Sequence, residues 1–89
     1  MRLSFPNQSR SFDESNRHVC FWGYDSTIEV SFFVETDALK RLCPKMKDAE
    51  AGCLQAYDTM RNKIHEVANN IYVRDGKGSF SYILSAKDF

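Results

Sequence analysis

Cysteine is scarce in this 89-residue chain, and the three that occur, Cys20, Cys43 and Cys53, form no CxxC pair. An odd count without close pairs excludes a disulfide framework and points to a reducing compartment, so the sequence predicts a cytosolic protein. Glycine is nearly as sparse, at four residues, and none of the four opens a glycine-rich phosphate loop or a nucleophile elbow. The two prolines leave long stretches uninterrupted. No apolar run approaches the roughly 18 to 20 residues of a membrane helix. The first residues, Met1-Arg2-Leu3-Ser4-Phe5-Pro6, lack the apolar core and small-residue cleavage site of a secretory signal. Net charge is absent too, with twelve Lys and Arg against twelve Asp and Glu, which speaks against a polybasic nucleic-acid binder.

What the chain does have is apolar and aromatic material. Hydrophobic residues make up 43% and aromatics 13%, enough to build a core and too much for a disordered segment. Eighty-nine residues suit a single domain, taken as 1–89. A domain of this size buries only about 60 to 65% of its unfolded surface, so a partner covering leftover apolar area is a natural expectation.

Local pattern predicts the elements. Residues 2–5 read as a short strand ended by Pro6, followed by a polar loop in which Phe12 is the one anchor. His18 to Tyr24 is rich in β-branched and aromatic residues and reads as a strand, with Asp25-Ser26 as the turn after it. Thr27 to Glu35 alternates with period two: Ile28, Val30, Phe32 and Val34 share one face, and Thr27, Glu29, Ser31 and Glu35 the other, interrupted by Phe33. The two strands form an antiparallel hairpin across 18–35. A short helix, capped by Thr36 or Asp37, runs to Leu42 and is stopped by Pro44. From an N-cap at Asp48, Cys53, Tyr57, Met60, Ile64, Val67 and Ile71 recur at helical spacing and predict one amphipathic helix of about six turns. Gly52 near its start costs about 1 kcal/mol relative to Ala. Asp75-Gly76-Lys77-Gly78 turns the chain, and Phe80, Tyr82 and Leu84 alternate as a last strand. The expectation is an α+β fold: a small antiparallel sheet, made of the hairpin plus N-terminal and C-terminal strands, packed against the long helix.

The order and spacing of several segments resemble a small bacterial family catalogued as domain of unknown function 1488. The segments are Trp22-Gly23-Tyr24-Asp25 leading into Glu29-Val30-Ser31-Phe32-Phe33-Val34, then Ala38-Leu39 with Arg41-Leu42, then Tyr57-Asp58 with Arg61, Ile64 and Ala68, and the final Asp88-Phe89. The likeness spans about Leu3 to Phe89. It implies a compact α+β domain and carries no activity, cofactor or functional residue with it.

The chemistry-bearing residues form no catalytic constellation. His18 and Cys20 are the only close pair of metal-ligating types, and Cys53 and His65 stand about 18 Å apart along a helix, so no metal site is expected. No cofactor motif is present. Arg61 flanks the apolar helical stripe and should snorkel to water or pair with a carboxylate from the sheet, Glu29 or Glu35. Lys40, Arg41, Lys45 and Lys47 form a basic cluster without an intervening acid, which carries the alternative reading of a small nucleic-acid-associated regulator. The segment Lys77 to Ile83 has the outline of an RNA-recognition strand but places Ser79 where that motif needs an aromatic. The strongest signal is aromatic. Alternation sets Trp22 and Tyr24 on the face of their strand opposite Phe21, and Phe33 opposite the apolar face of its own. Either the N-terminal segment, with Phe5 and Phe12, folds back over that second face, or Trp22, Tyr24 and Phe33 form an exposed contact surface for a second copy or another protein.

Overall fold

A computed structural model of the chain describes residues 3–6, 9–75 and 81–89. The fold is α+β, with helices packed on one face of a four-stranded sheet. Strands β1 (Ser11–Asp13), β2 (His18–Asp25) and β3 (Ile28–Glu35) form an antiparallel meander, and β4 (Ser81–Leu84) lies beside β3. Helices α1 (Thr36–Leu42), α2 (Glu50–Thr59) and α3 (Arg61–Arg74) fill the connection from β3 to β4, and a 3-10 turn at Ala86–Asp88 follows. Among the described residues no helix is long and apolar enough to cross a membrane.

Period-two patterning sets the hairpin as expected. Pairing of Val19 with Val34, Phe21 with Phe32 and Gly23 with Val30 places these residues on one face, and all are buried. The helices answer with Leu39, Cys53, Tyr57, Ile64, Ala68 and Tyr72, each no more than 3% exposed. Ile28, assigned by alternation to the core face, is 47% exposed, because it sits at the hairpin tip beyond the reach of the helices. The loop there is Ser26-Thr27, and Ser26 takes a left-handed φ of 60°.

Four long-range expectations are corrected. First, β4 pairs with β3 in parallel, not antiparallel. A strand, a helical layer and a second strand make a crossover unit, which carries the chain from the Glu35 end of β3 back towards the Ile28 end, so that β4 runs the same way as β3. Second, the expected single helix is two. Met60, at φ −103° and ψ 18°, interrupts it without any glycine or proline. A straight rod of six turns would leave a twisted sheet at one end, whereas the bent pair keeps both apolar stripes on it. Third, the N-terminal strand of the sheet is Ser11–Asp13, inside the loop read as polar. The segment read as a strand at 2–5 contributes a single bridge, Ser4 to Tyr24, with N–H···O distances of 2.9 and 2.8 Å. Its Leu3 N–H donates to Oδ1 of Asn69 at 2.7 Å, which accounts for the buried amide on α3. Fourth, Asp48 does not cap α2. The residue flanking the first turn is Ala49, and Asp48 instead pairs with Arg17 and Lys40, at 2.6 and 3.4 Å. Likewise Glu35, not Thr36 or Asp37, precedes α1, without a side-chain cap. The turn expected at Gly76–Gly78 and the strand residue Phe80 lie outside the described residues.

Candidate functional site

The face of the sheet turned away from the helices is built by the alternate residues of each strand. Register brings Cys20 opposite Phe33, Phe33 opposite Ile83, and Trp22 opposite Ser31. Tyr24 lies opposite Glu29 and donates its hydroxyl to Oε2 of that residue at 2.9 Å. The ring of His18 packs on Phe33 with centroids 4.7 Å apart. Trp22, Tyr24 and Phe33 are therefore placed on one surface, each of them half-buried. Ile83 joins them and is 61% exposed. The sequence reading omitted Ile83, although its alternation with Tyr82 and Leu84 was sufficient to place it on this face.

No described helix or loop covers this face. The alternative cover is excluded by where the N-terminal aromatics go. Phe5 lies on the helix side, with its ring 6.2 Å from Phe21, 6.3 Å from Phe32 and stacked at 4.0 Å on His65. Gly23 makes room for it, since a methyl group there would fall 2.7 Å from the Phe5 ring. Phe12 also packs against the core. Both follow from parity: Phe5 is one residue from Ser4, which pairs with outer-face Tyr24, and Phe12 pairs with inner-face Val19.

Charge of both signs borders the outer face: Arg74 and Lys87 line a cavity with Asp13, His18, Phe33 and Ile83, and Arg17 lies beside Glu35, while the strands themselves contribute only acids. Asp13, Glu29 and Glu35 occupy the face's register positions, and no Lys or Arg of β1 to β4 does. Burial pushes the Cys20 thiol up, and Asp13 and Glu29 add to the effect, which favours the protonated thiol. The amide of Asn16 holds the Asp13 carboxyl below the usual range, with a smaller contribution from His18, whose Nε2 is 3.4 Å away.

The other sequence-predicted residues are placed elsewhere. Arg61 does not meet Glu29 or Glu35, because both carboxylates belong to the opposite face of the sheet from α3. It pairs with Asp58 at 3.0 Å, one turn earlier, and lies 5.5 Å over the Tyr57 ring. Asp58 also takes a bidentate contact from Arg10, at 2.9 and 2.7 Å, and these guanidinium groups hold its carboxyl low. Of the basic cluster, Lys40 reaches Asp48, and Arg41 donates to the Phe89 carbonyl at 2.6 Å. Lys45 and Lys47 border a groove of about 400 Å³ between the loop after α1 and α2. Half of the cluster is thus engaged within the chain. Among the described residues no three His, Cys, Asp or Glu side chains converge on a point where a metal ion could bind.

His65 is a half-buried titratable group that spacing alone did not explain. It is held between the Phe5 ring and Tyr57, whose hydroxyl is 2.8 Å from its Nε2. Burial, helped by the nearby Arg61 charge, lowers its pKa to about 4, while burial pushes the Tyr57 hydroxyl up to about 12. The imidazole is neutral at pH 7 and acts as a half-buried ring, stacked on Phe5, with one polar contact. The native state therefore binds its proton more weakly than the unfolded chain, where the value is near 6.5. Stability from this group is complete above pH 6.5 and falls as the pH drops towards 4, by about 1 to 2 kcal/mol once the half-exposed ring's hydration is allowed for. The carboxylates of Asp13 and Asp58 act below that window. Urea titrations of the parent and of His65→Gln between pH 4 and 7 should differ in slope over this interval; parallel curves would contradict the lowered pKa of the imidazole.

A family model described as protein of unknown function (DUF1488) matches residues 3–84. No curated protein matches the chain. A crystal structure of a protein of unknown function from the same family, from Shewanella loihica PV-4, superposes with a TM-score of 0.72 over 91% of both chains, at 14% sequence identity. That degree of identity establishes a shared fold.

Proposed function

The chain belongs to the DUF1488 family of proteins of unknown function, so membership brings no activity with it, and we propose that it is a non-enzymatic binding domain that docks a protein partner on the outer sheet face. The observation that carries this reading is the bare face itself. An antiparallel meander normally turns polar side chains to water on its second face. Here that face presents Trp22, Phe33 and Ile83 around Cys20, with the N-terminal aromatics drawn to the other side. Aromatic residues set in an apolar centre with a polar rim are the composition of contact surfaces. Burial raises the pKa of the Cys20 thiol on this face, which supports a contact role for it.

The test is site-specific photo-cross-linking in living cells. A photoreactive phenylalanine analogue at position 22 should yield a discrete adduct. The same group at position 63, on the exposed side of α3, should not, and Ile83→Glu should abolish the adduct from position 22. No adduct from position 22, or equal labelling from both positions, would refute the reading.

A further inference from the structure

We infer that a groove in the helical layer binds a small amphiphilic carboxylate, with Lys45 and Lys47 holding the anionic end and the side of α2 receiving the apolar tail. This site is separate from the outer face of the sheet, and neither reading rests on the other. The groove runs between the loop after α1 and α2, and its volume of about 400 Å³ is that of a small-molecule site. The local sequence explains why it is open. Ala51, Gly52, Gln55, Ala56 and Thr59 share one side of α2 at helical spacing, and none of them has a large apolar side chain to fill the space. At Gly52 the missing side chain lets the Lys47 carbonyl come against the helix, which draws the loop in beside it. Cys43 and Met46, half-buried against the core, and the buried Ala56 give the groove an apolar floor. The flexible thioether of Met46 adapts to an irregular apolar guest. From Ala51 to Thr59 the helix rises about 12 Å, the length open to an extended tail.

Charge selects the end group. Lys45 and Lys47 are the charged residues of the described lining, both exposed, and neither has an ion-pair partner among the described residues. The carboxylates close to them in sequence are engaged or turned away. Asp48 pairs with Arg17 and Lys40, and Asp58 on α2 with Arg10 and Arg61. Glu50 lies about 170° round α2 from the centre of the groove side. The Gln55 amide and Thr59 hydroxyl add polar groups to the lining, and among the described residues neither side chain has a hydrogen-bond partner. Two ammonium groups without partners above an apolar floor favour an anionic amphiphile over a neutral or cationic one. A polyanion such as nucleic acid would engage the lysines and leave the floor unused.

Octanoate would be titrated onto the full-length nitrogen-15-labelled protein and followed by amide chemical shifts. Saturable shifts should map to residues 43–47 and 51–59, with a Kd of about 1 mM. Octanol, which keeps the tail, and acetate, which keeps the charge, should each bind about ten-fold more weakly. The Lys45→Gln, Lys47→Gln double variant, with an unchanged circular dichroism spectrum, should lose about ten-fold in octanoate affinity, whereas Lys63→Gln on α3 should lose none. Ala51→Leu places a larger side chain in the groove from an exposed position and should weaken octanoate and octanol alike. Octanoate affinity should also fall about three-fold between 50 and 300 mM salt. Equal binding of octanoate and octanol, no shift in residues 43–59 up to about 20 mM octanoate, or shifts centred on Trp22, Phe33 and Ile83 would overturn the inference. Tighter binding of phosphatidylglycerol vesicles or single-stranded DNA than of octanoate, lost in the same double variant, would assign the lysines to a membrane surface or to nucleic acid and overturn it as well.

Discussion

Phe32→Ala is expected to remove most of the stability of the domain and to leave it largely unfolded in mild urea. Phe32 is fully buried in β3, which pairs with β2 on one side and β4 on the other. Its ring lies 5.3 Å from Phe21, 5.7 Å from Tyr82 and 6.3 Å from Phe5, so it joins two neighbouring strands and the N-terminal segment. Truncating a buried phenylalanine costs about 3 to 5 kcal/mol, because lost burial and an unfilled cavity add. A domain of this length has about 5 to 10 kcal/mol in total. The adjacent residue supplies the control. Phe33→Ala, on the outer face, should cost under about 1 kcal/mol, since its ring lies on a surface without a helix over it. Urea denaturation followed by circular dichroism compares the two. Similar midpoints for the two variants would mean that the inner and outer faces of the sheet are misassigned.

Gly52→Ala is expected to destabilise the protein by about 2 kcal/mol, against the sign that helix propensity gives. Alanine in the first turns of α2 should by itself add about 1 kcal/mol. The obstacle is the chain that precedes the helix. A methyl group at position 52 would overlap the carbonyl oxygen of Lys47 and approach its carbonyl carbon to 2.9 Å and its Cβ to 3.1 Å. The first two are backbone atoms, so no side-chain rotation relieves the overlap. The loop is also anchored next door, where Asp48 pairs with Arg17 and Lys40. Accommodating the methyl therefore requires shifting the loop, the ion pairs, or the start of α2. A lowered urea midpoint with an unchanged slope is the expected observation. A raised midpoint would show that the loop yields freely and that propensity prevails.

The two substitutions separate what local pattern can reveal from what it cannot. That Phe32 is core and Phe33 is not follows from period-two alternation, because successive side chains of a strand point to opposite faces whatever the strand packs against. The same rule placed Trp22 and Tyr24 on the outer face and would have placed Ile83 there. Gly52 is different. Its meaning depends on a loop that comes close only after α1 and α2 have docked, and no short-range pattern encodes that approach. The predicted partners of Arg61 failed for the same reason. Glu29 and Glu35 were plausible in charge, but the sheet itself lies between them and α3. Asp58 was within one helical turn and needed no tertiary contact to find.

By itself, then, the sequence determined the α+β class, the 18–35 hairpin, the division of its residues between two faces, and the presence of more aromatic surface than one helical layer covers. These are consequences of backbone geometry acting over a few residues, and the backbone is the same in every protein. Tertiary structure decided the direction of β4, the break at Met60, the partner of Arg61, and the side of the sheet on which Phe5 and Phe12 settle. Each of these depends on segments far apart in the chain competing for the same space, so each is set by the packed whole. The last of them matters most for function. Had Phe5 and Phe12 crossed to the other side, Trp22, Phe33 and Ile83 would be core; because Gly23 opens a place for Phe5 beside His65, they form a surface.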